Sequence, residues 1–160
     1  DRNGAYAASG SVHQNLLDQL LKDPYFTQRP PKSTGREYFS QSWLQQTLDQ
    51  LAPISAADVQ ATLNQLTATL VHQALPEEVD ILVVCGGGVH NTHLMDALDD
   101  TVDPLVVTSD AFAIDPDFVE AACFGWLGLQ CVDSHPLATT LITGSAAPGV
   151  LGSIIHPTKG

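Results

Sequence analysis

A helix-rich α/β fold with an incomplete sheet is predicted by three observations. Ile81-Leu82-Val83-Val84 and Leu105-Val106-Val107-Thr108 are short apolar, β-branched runs that read as buried strands. Between them a helical pattern (Leu94, Met95, Leu98) opens at Asn91, and strand, helix, strand is the order that a parallel pair demands. Stripes of helical period outnumber the strands, with at least five helices against two strands and a short third strand near Leu141-Ile142. Two strands neither cover so many apolar helix faces nor stand as an independent sheet, so the missing strands are expected in sequence upstream of Asp1.

In chain order, Val12, Leu16, Leu17, Leu20 and Leu21 form the first amphipathic stripe, which Pro24 stops. Pro30 and Pro31 keep the next segment irregular. Thr34-Gly35-Arg36-Glu37 then has the Thr-x-x-Glu form of a capping box for a second helix, whose buried side is Phe39, Trp43, Leu44, Leu48 and Leu51. Beyond Pro53, Ser55 or Asp58 caps a third helix with Val59, Leu63, Leu66, Leu70 and Val71 in register. After the second strand, Asp115-Pro116-Asp117 supplies an N-cap aspartate, a proline at the first helical position and acid in the first turn, which predicts a helix through about Leu129. Residues 1–78 are thus mainly helical, residues 79–160 carry the strands and the glycine turn, and the whole is read as one lobe. The start at Asp1, in mid-pattern, reads as a fragment of something longer.

Composition narrows the function. Of 160 residues 44% are hydrophobic, ample for a globular core. Eighteen acidic against six basic residues give a net charge of -12, which argues against nucleic acid or an anionic membrane as partner. A phosphorylated ligand must therefore be held locally. Cys85, Cys123 and Cys131 are odd in number and lack CxxC spacing, which fits a reducing, cytoplasmic setting better than a disulfide framework or a zinc site. No apolar run is long enough to span a bilayer.

Gly86-Gly87-Gly88 between a strand and a helix N-terminus lets main-chain amides approach a ligand without an intervening Cβ, and nucleotides are the usual occupants of such turns. The turn lacks both GxGxxG spacing and the Lys-Ser/Thr of a P-loop, so tight packing against a neighbouring helix is the competing account. Gly86 and Asp110 both fall at the strands' carboxyl ends, where α/β sheets bind ligands. His72, His90 and His93 are too few and too loosely spaced for a metal site, and none is assigned.

Six motifs in order carry a resemblance: Asp1-x-Asn3-Gly4 with Ala7-Ala8-x-Gly10; Pro30-Pro31-Lys32-Ser33-Thr34-Gly35-Arg36-Glu37; Ala61-Thr62-Leu63 with Leu66-Thr67-Ala68; Cys85-Gly86-Gly87-Gly88-x-His90-Asn91; Glu120-Ala121 with Phe124; and Thr143-Gly144. Together they resemble the C-terminal part of the anhydro-N-acetylmuramic acid kinase family, bacterial sugar kinases of actin-like (ribonuclease H-like) fold. The resemblance covers nearly the whole chain, and its octapeptide from Pro30 to Glu37 is the most specific part. It implies an enzyme that uses ATP and Mg2+ to open the 1,6-anhydro ring of a recycled cell-wall amino sugar with water and to phosphorylate the C6 oxygen, giving N-acetylmuramic acid 6-phosphate. It also implies that the catalytic base and a phosphate-binding loop lie in an N-terminal lobe preceding Asp1, that this chain alone is inactive, and that the enzyme is a homodimer.

By the same resemblance Gly86, Gly87, Gly88 and Asn91 approach the nucleotide, though Asn91 serves equally as an ordinary helix cap. Glu120 meets the sugar or aids closure of the cleft, or else it only complements a helix dipole. Lys32 and Arg36 flank a helix N-terminus and suit an anion or a partner's carboxylate, against the plainer reading of a lead-in loop in which Arg36 pairs with Glu37. Ala113 stands where the family pattern has glycine, and Gly125 and Gly128 replace alanines inside a helix at about 1 kcal/mol each. Two other functions stay open: a non-catalytic nucleotide-binding module of actin-like fold, and a self-association domain using the stripes at 12–21 and 59–71.

Overall fold

Asp1 opens the computed structural model, which describes residues 1–155, by folding over the start of a one-turn helix. Its carboxylate accepts the N–H groups of Tyr6 and Ala7 at 2.8 and 2.9 Å, satisfying the donors that begin α1 (Ala5–Ala8). The chain divides into two compact units, Asp1–Thr27 with Thr34–Asp117, and Gln28–Ser33 with Phe118–Gly160.

In the first unit, α2 (Gln14–Leu20) is capped by His13, whose Nδ1 accepts the Leu16 N–H at 3.2 Å. Leu16, Leu17 and Leu20 are all buried, as their spacing predicts. The next helix, α3 (Gln41–Leu48), begins later than the Thr34-x-x-Glu37 box predicts, because Ser40 is the residue whose hydroxyl caps it, accepting the Trp43 N–H. Residues 35–39 form tight turns instead, with the N–H groups of Tyr38 and Phe39 both reaching the Gly35 carbonyl. The reason is aromatic packing: Phe39 stacks on Phe26 at 5.3 Å between ring centroids and stands edge-on to Trp43 at 5.0 Å, which a helix continuing through Phe39 would have to abandon.

Asp23 holds that aromatic group in place. It accepts hydrogen bonds from the Trp43 indole N–H at 2.8 Å, the Tyr38 hydroxyl at 2.9 Å and the Tyr25 N–H at 2.8 Å. Burial pushes its pKa up, but the three hydrogen bonds, Trp43 foremost, outweigh it and hold the carboxyl below the ordinary value of 3.8. A depressed carboxyl stabilises the fold above its unfolded pKa and loses that contribution as pH falls through its lower folded value. Asp23→Ala is therefore expected to cost about 1–3 kcal/mol near neutral pH, since it strands the half-buried Trp43 and Tyr25 donors, and the deficit relative to wild type should shrink below about pH 3.8. Urea melts of both proteins across that range check this; a deficit that does not change with pH would contradict it.

The central helix is α4 (Ala56–Ala74), capped by the Ser55 hydroxyl on the Asp58 N–H at 3.1 Å. One side, with Leu66 buried and Leu63 and Leu70 beside it, packs on Leu16, Leu17, Leu20, Trp43 and Leu44. The other side, through Ala68 and Val71, packs on the sheet and on Ala97 and Leu98. Thr62 is fully buried yet satisfied, donating to the Asp58 carbonyl at 2.7 Å and accepting the His13 N–H at 2.9 Å. The Asp58 carboxylate accepts the Ser11 N–H at 2.7 Å, the foremost of the hydrogen bonds that hold its pKa below the usual value.

The sheet has two strands, as predicted: β1 (Ile81–Val84) and β2 (Leu105–Thr108), parallel and paired from Ile81↔Leu105 to Val84↔Thr108. The crossover that joins them runs through α5 (Thr92–Thr101). Leu82, Val84 and Val106 face the helices, whereas Ile81, Val83 and Leu105 are exposed, so the sheet is covered on one face only within this unit.

In the second unit, α6 (Val119–Val132) starts later and ends later than predicted. Asp115 does cap, accepting the Asp117 N–H at 3.0 Å, but what it caps is a 3-10 turn at Pro116–Phe118. Glu120 consequently sits in the first turn of α6, not the second. Residues Leu141 and Ile142, read as a third strand, lie instead in the short helix α7 (Thr140–Thr143). No residue of α6 is buried, and Phe124 and Trp126 are 65% and 51% exposed. Gly125 and Gly128 meet no heavy atom within 4 Å at the place of a Cβ, so packing does not require glycine at either position.

Candidate functional site

The site begins where β1 ends. Gly86 has φ 79° and ψ -179°, a combination essentially confined to glycine. Gly87–His90 then makes a 3-10 turn, and Asn91 starts α5. Gly87 and Gly88 precede the first hydrogen bond of that turn, from the Val89 N–H to the Gly86 carbonyl at 3.2 Å, so their own N–H groups belong to the unsatisfied start of a helical turn. The Gly86 N–H is already engaged, donating to the Pro116 carbonyl at 2.9 Å. A Cβ built on Gly86 or Gly87 meets nothing within 4 Å, and one on Gly88 meets only Leu94 Cδ2 at 3.8 Å. The competing account, a turn packed tight against a neighbouring helix, fails on that openness.

Asn91 acts as a cap: its Oδ1 accepts the Leu94 N–H at 3.0 Å. Its position is further fixed by a neighbour that the sequence does not announce. Gly4, at φ 77°, comes so close that a Cβ there would strike the Asn91 side chain and His93 Cβ. The Thr92 hydroxyl donates to the Asn3 carbonyl at 3.2 Å, and the Asn64 amide donates to the His93 carbonyl at 3.2 Å. The start of α5 is thus held by α4 and by the Asp1-x-Asn3-Gly4 segment.

Across the strand ends, the Thr108 hydroxyl donates to Asp110, and Ser109 is buried with no partner for its hydroxyl among the described residues. Asp110 belongs to a 3-10 turn that ends at Ala113, φ 60° and ψ 28°. That left-handed conformation explains why glycine suits the position, and an alanine there costs roughly 1–2 kcal/mol. His90 Nε2 meets both oxygens of Asp117 at 2.9 and 3.0 Å. With the Gly86–Pro116 bond, this pair ties the glycine turn to the 115–117 loop, a role that the sequence reading of His90 missed.

The remaining candidates lie on other segments of the chain. Arg36 is exposed on the turn before α3, in the first unit, and flanks no helix N-terminus, because that helix starts only after Ser40. Glu120 is exposed in the first turn of α6, in the second unit. Lys32 is half-buried in the second unit's Gln28–Ser33 segment. Among the described residues, no group of three or more His, Cys, Asp or Glu side chains converges as a metal site, and no helix is long and apolar enough to cross a membrane.

A helix-rich α/β chain with an open glycine turn at the carboxyl ends of two parallel strands is the class that fold and site define. The chain belongs to the anhydro-N-acetylmuramic acid kinase family, whose model matches residues 1–157. It is 43% identical over 158 residues to the anhydro-N-acetylmuramic acid kinase of Pseudomonas syringae pv. tomato, covering 96% of this chain and 43% of that protein. The same named enzyme of Cupriavidus metallidurans is 44% identical over 160 residues, with 96% and 42% covered. That of Xylella fastidiosa is 44% identical over 161 residues, with 98% and 42% covered. The chain therefore spans less than half the length of the relatives it matches.

Proposed function

We propose that this chain is the C-terminal part of an ATP-dependent kinase of actin-like fold that opens 1,6-anhydro-N-acetylmuramic acid with water and phosphorylates it to N-acetylmuramic acid 6-phosphate in cell-wall recycling. The observation that carries the reading is the open backbone of Gly86 and Gly87 at the strands' carboxyl ends, in a chain of this family. Phosphoryl transfer depends mainly on positioning and charge neutralisation, which main-chain N–H groups supply without a mobile side chain. In this scheme Gly87 and Gly88 present amides to ATP, Gly86 lets the backbone turn toward it, and Asn91 fixes the helix start beside it. Glu120 faces the sugar or assists closure.

Water adds to the anomeric carbon as its bond to the C6 oxygen breaks, and that oxygen takes the γ-phosphoryl group while ADP leaves. The base that receives the water's proton, and the loop that holds the phosphates from the other side, are assigned to an N-terminal lobe of the same cytoplasmic enzyme, which we take to be a homodimer. Mg2+ is expected with ATP, and no residue of this chain is assigned to it. Steady-state assays of the full-length protein test the reading: ADP release should require the anhydrosugar and yield the 6-phosphate. Turnover equally fast without it, or on an unrelated sugar, would contradict the proposal.

A further inference from the structure

The sequence assigns Asp117 to the first turn of a helix, but α6 begins only at Val119, and the Asp117 carboxylate is engaged elsewhere. His90 Nε2 carries the shared proton, since a carboxylate only accepts, and donates it to both Asp117 oxygens at 2.9 and 3.0 Å. His90 closes the 3-10 turn Gly87–His90, and Gly86, just before that turn, donates its N–H to the Pro116 carbonyl at 2.9 Å. Both ends of the glycine turn are therefore fastened to one short loop. The shape of that loop is itself set by Asp115, which accepts the Asp117 N–H at 3.0 Å. All of these residues belong to the first unit.

Between the fastened ends the turn is lightly restrained. A Cβ on Gly87 would meet nothing within 4 Å and one on Gly88 only Leu94 Cδ2 at 3.8 Å, so packing does not confine the backbone on that side. Two backbone hydrogen bonds, from the Val89 N–H to the Gly86 carbonyl at 3.2 Å and from the Asn91 N–H to the Gly88 carbonyl at 3.0 Å, give the turn its curl but not its direction. Glycine loses more conformational freedom than any other residue when it is ordered, and a ligand that must order it binds more weakly by that amount. We propose that His90 and Asp117 are a pair of positioning residues, which hold the Gly87 and Gly88 amides ready for ATP before it arrives. This role rests on the reading of the glycine turn as an ATP site and adds to it the two side chains that set its direction. Both side chains are more than half exposed, at 60% and 52%, so the pair is a modest lever. An exposed pair of this kind shifts an equilibrium by at most about fivefold, enough to tune nucleotide affinity and too little to unsettle the fold.

The test uses the full-length protein with His90→Ala, Asp117→Ala, the double variant that combines them, and Asp117→Asn. Each single alanine variant should raise KM for ATP by about three- to fivefold. Over the same series kcat and KM for the anhydrosugar should stay within about twofold of wild type, the split expected when binding weakens without a loss at the reacting bond. The double variant should match the single ones, because removing either partner already breaks the pair. Asp117→Asn should recover part of the loss, since its amide oxygen still accepts the His90 N–H. Unchanged KM for ATP in both single variants, losses that multiply in the double variant, an Asp117→Asn protein no better than Asp117→Ala, or equal falls in every kinetic constant with a lower melting temperature would overturn the role. If the wild-type protein shows no anhydrosugar-dependent turnover, it is the kinase reading that fails. Calorimetric titration with ATP then decides the pair alone: binding weakened to the same extent in the single and double variants supports it, and no binding to wild type, or the same affinity in every variant, overturns it.

Discussion

Gly87→Val in the full-length enzyme is expected to leave stability within about 0.5 kcal/mol of wild type while raising KM for ATP by about tenfold or more. The two halves of this expectation come from one fact. A Cβ on Gly87 meets no protein atom within 4 Å, and the residue has no positive φ, so the fold has no reason to reject a side chain there. What a side chain there meets first is whatever approaches the turn from outside. Gly86 is the poorer choice for this experiment, because its φ of 79° with ψ of -179° would add roughly 1–3 kcal/mol of backbone strain and confuse instability with lost binding. Thermal melts with kinetics at varied ATP settle the matter: a stable Gly87→Val protein with unaltered KM would show that the turn's openness serves something other than ATP.

The largest stability effect is expected at Gly10→Ala, with a loss of about 1–3 kcal/mol or more. A Cβ at Gly10 would strike the Ala57 carbonyl and approach the Asp58 N–H to 2.7 Å. Those atoms are the first turn of α4 and cannot retreat cheaply: Ser55 caps that turn, and the next residue after Gly10 donates its N–H to the Asp58 carboxylate at 2.7 Å. The strap from α1 to α2 is thus pinned backbone to backbone on the central helix. Gly128→Ala is the internal contrast, since no atom stands within 4 Å and alanine favours a helix interior by roughly 1 kcal/mol. Chemical denaturation of both variants should move in opposite directions; a Gly10→Ala protein as stable as wild type would mean that the strap is not so closely docked.

These cases also mark what was readable from the sequence. The parallel strands, the glycine turn, the Ser55 cap and the stripe Leu16, Leu17, Leu20 were legible because each depends on residues within a few positions of one another. The start of α3 was misjudged because Thr34 and Glu37 match a local capping pattern, while the choice of Ser40 depends on Phe39 packing against Phe26 and Trp43. The start of α6 was misjudged for a related reason. Pro116, the expected first helical residue, gives its carbonyl to the Gly86 N–H thirty residues away, and the regular helix begins only at Val119. At the candidate site the same division holds. The glycines declare themselves through composition and order, whereas the contacts that orient them, Gly4 on Asn91 and His90 on Asp117, are long-range and leave no periodic trace. The left-handed Ala113 is intermediate: its conformation is visible only in the fold, but the expectation of glycine there pointed to it.

The most direct test of the central claim is a crystal structure of the full-length enzyme with a non-hydrolysable ATP analogue. The account predicts analogue atoms against the Gly87 and Gly88 backbone, with at least one of their N–H groups within about 3.2 Å of an acceptor on the ligand. A bound nucleotide that leaves the turn facing solvent, or a turn sealed by protein when the rest of the enzyme is present, would contradict it.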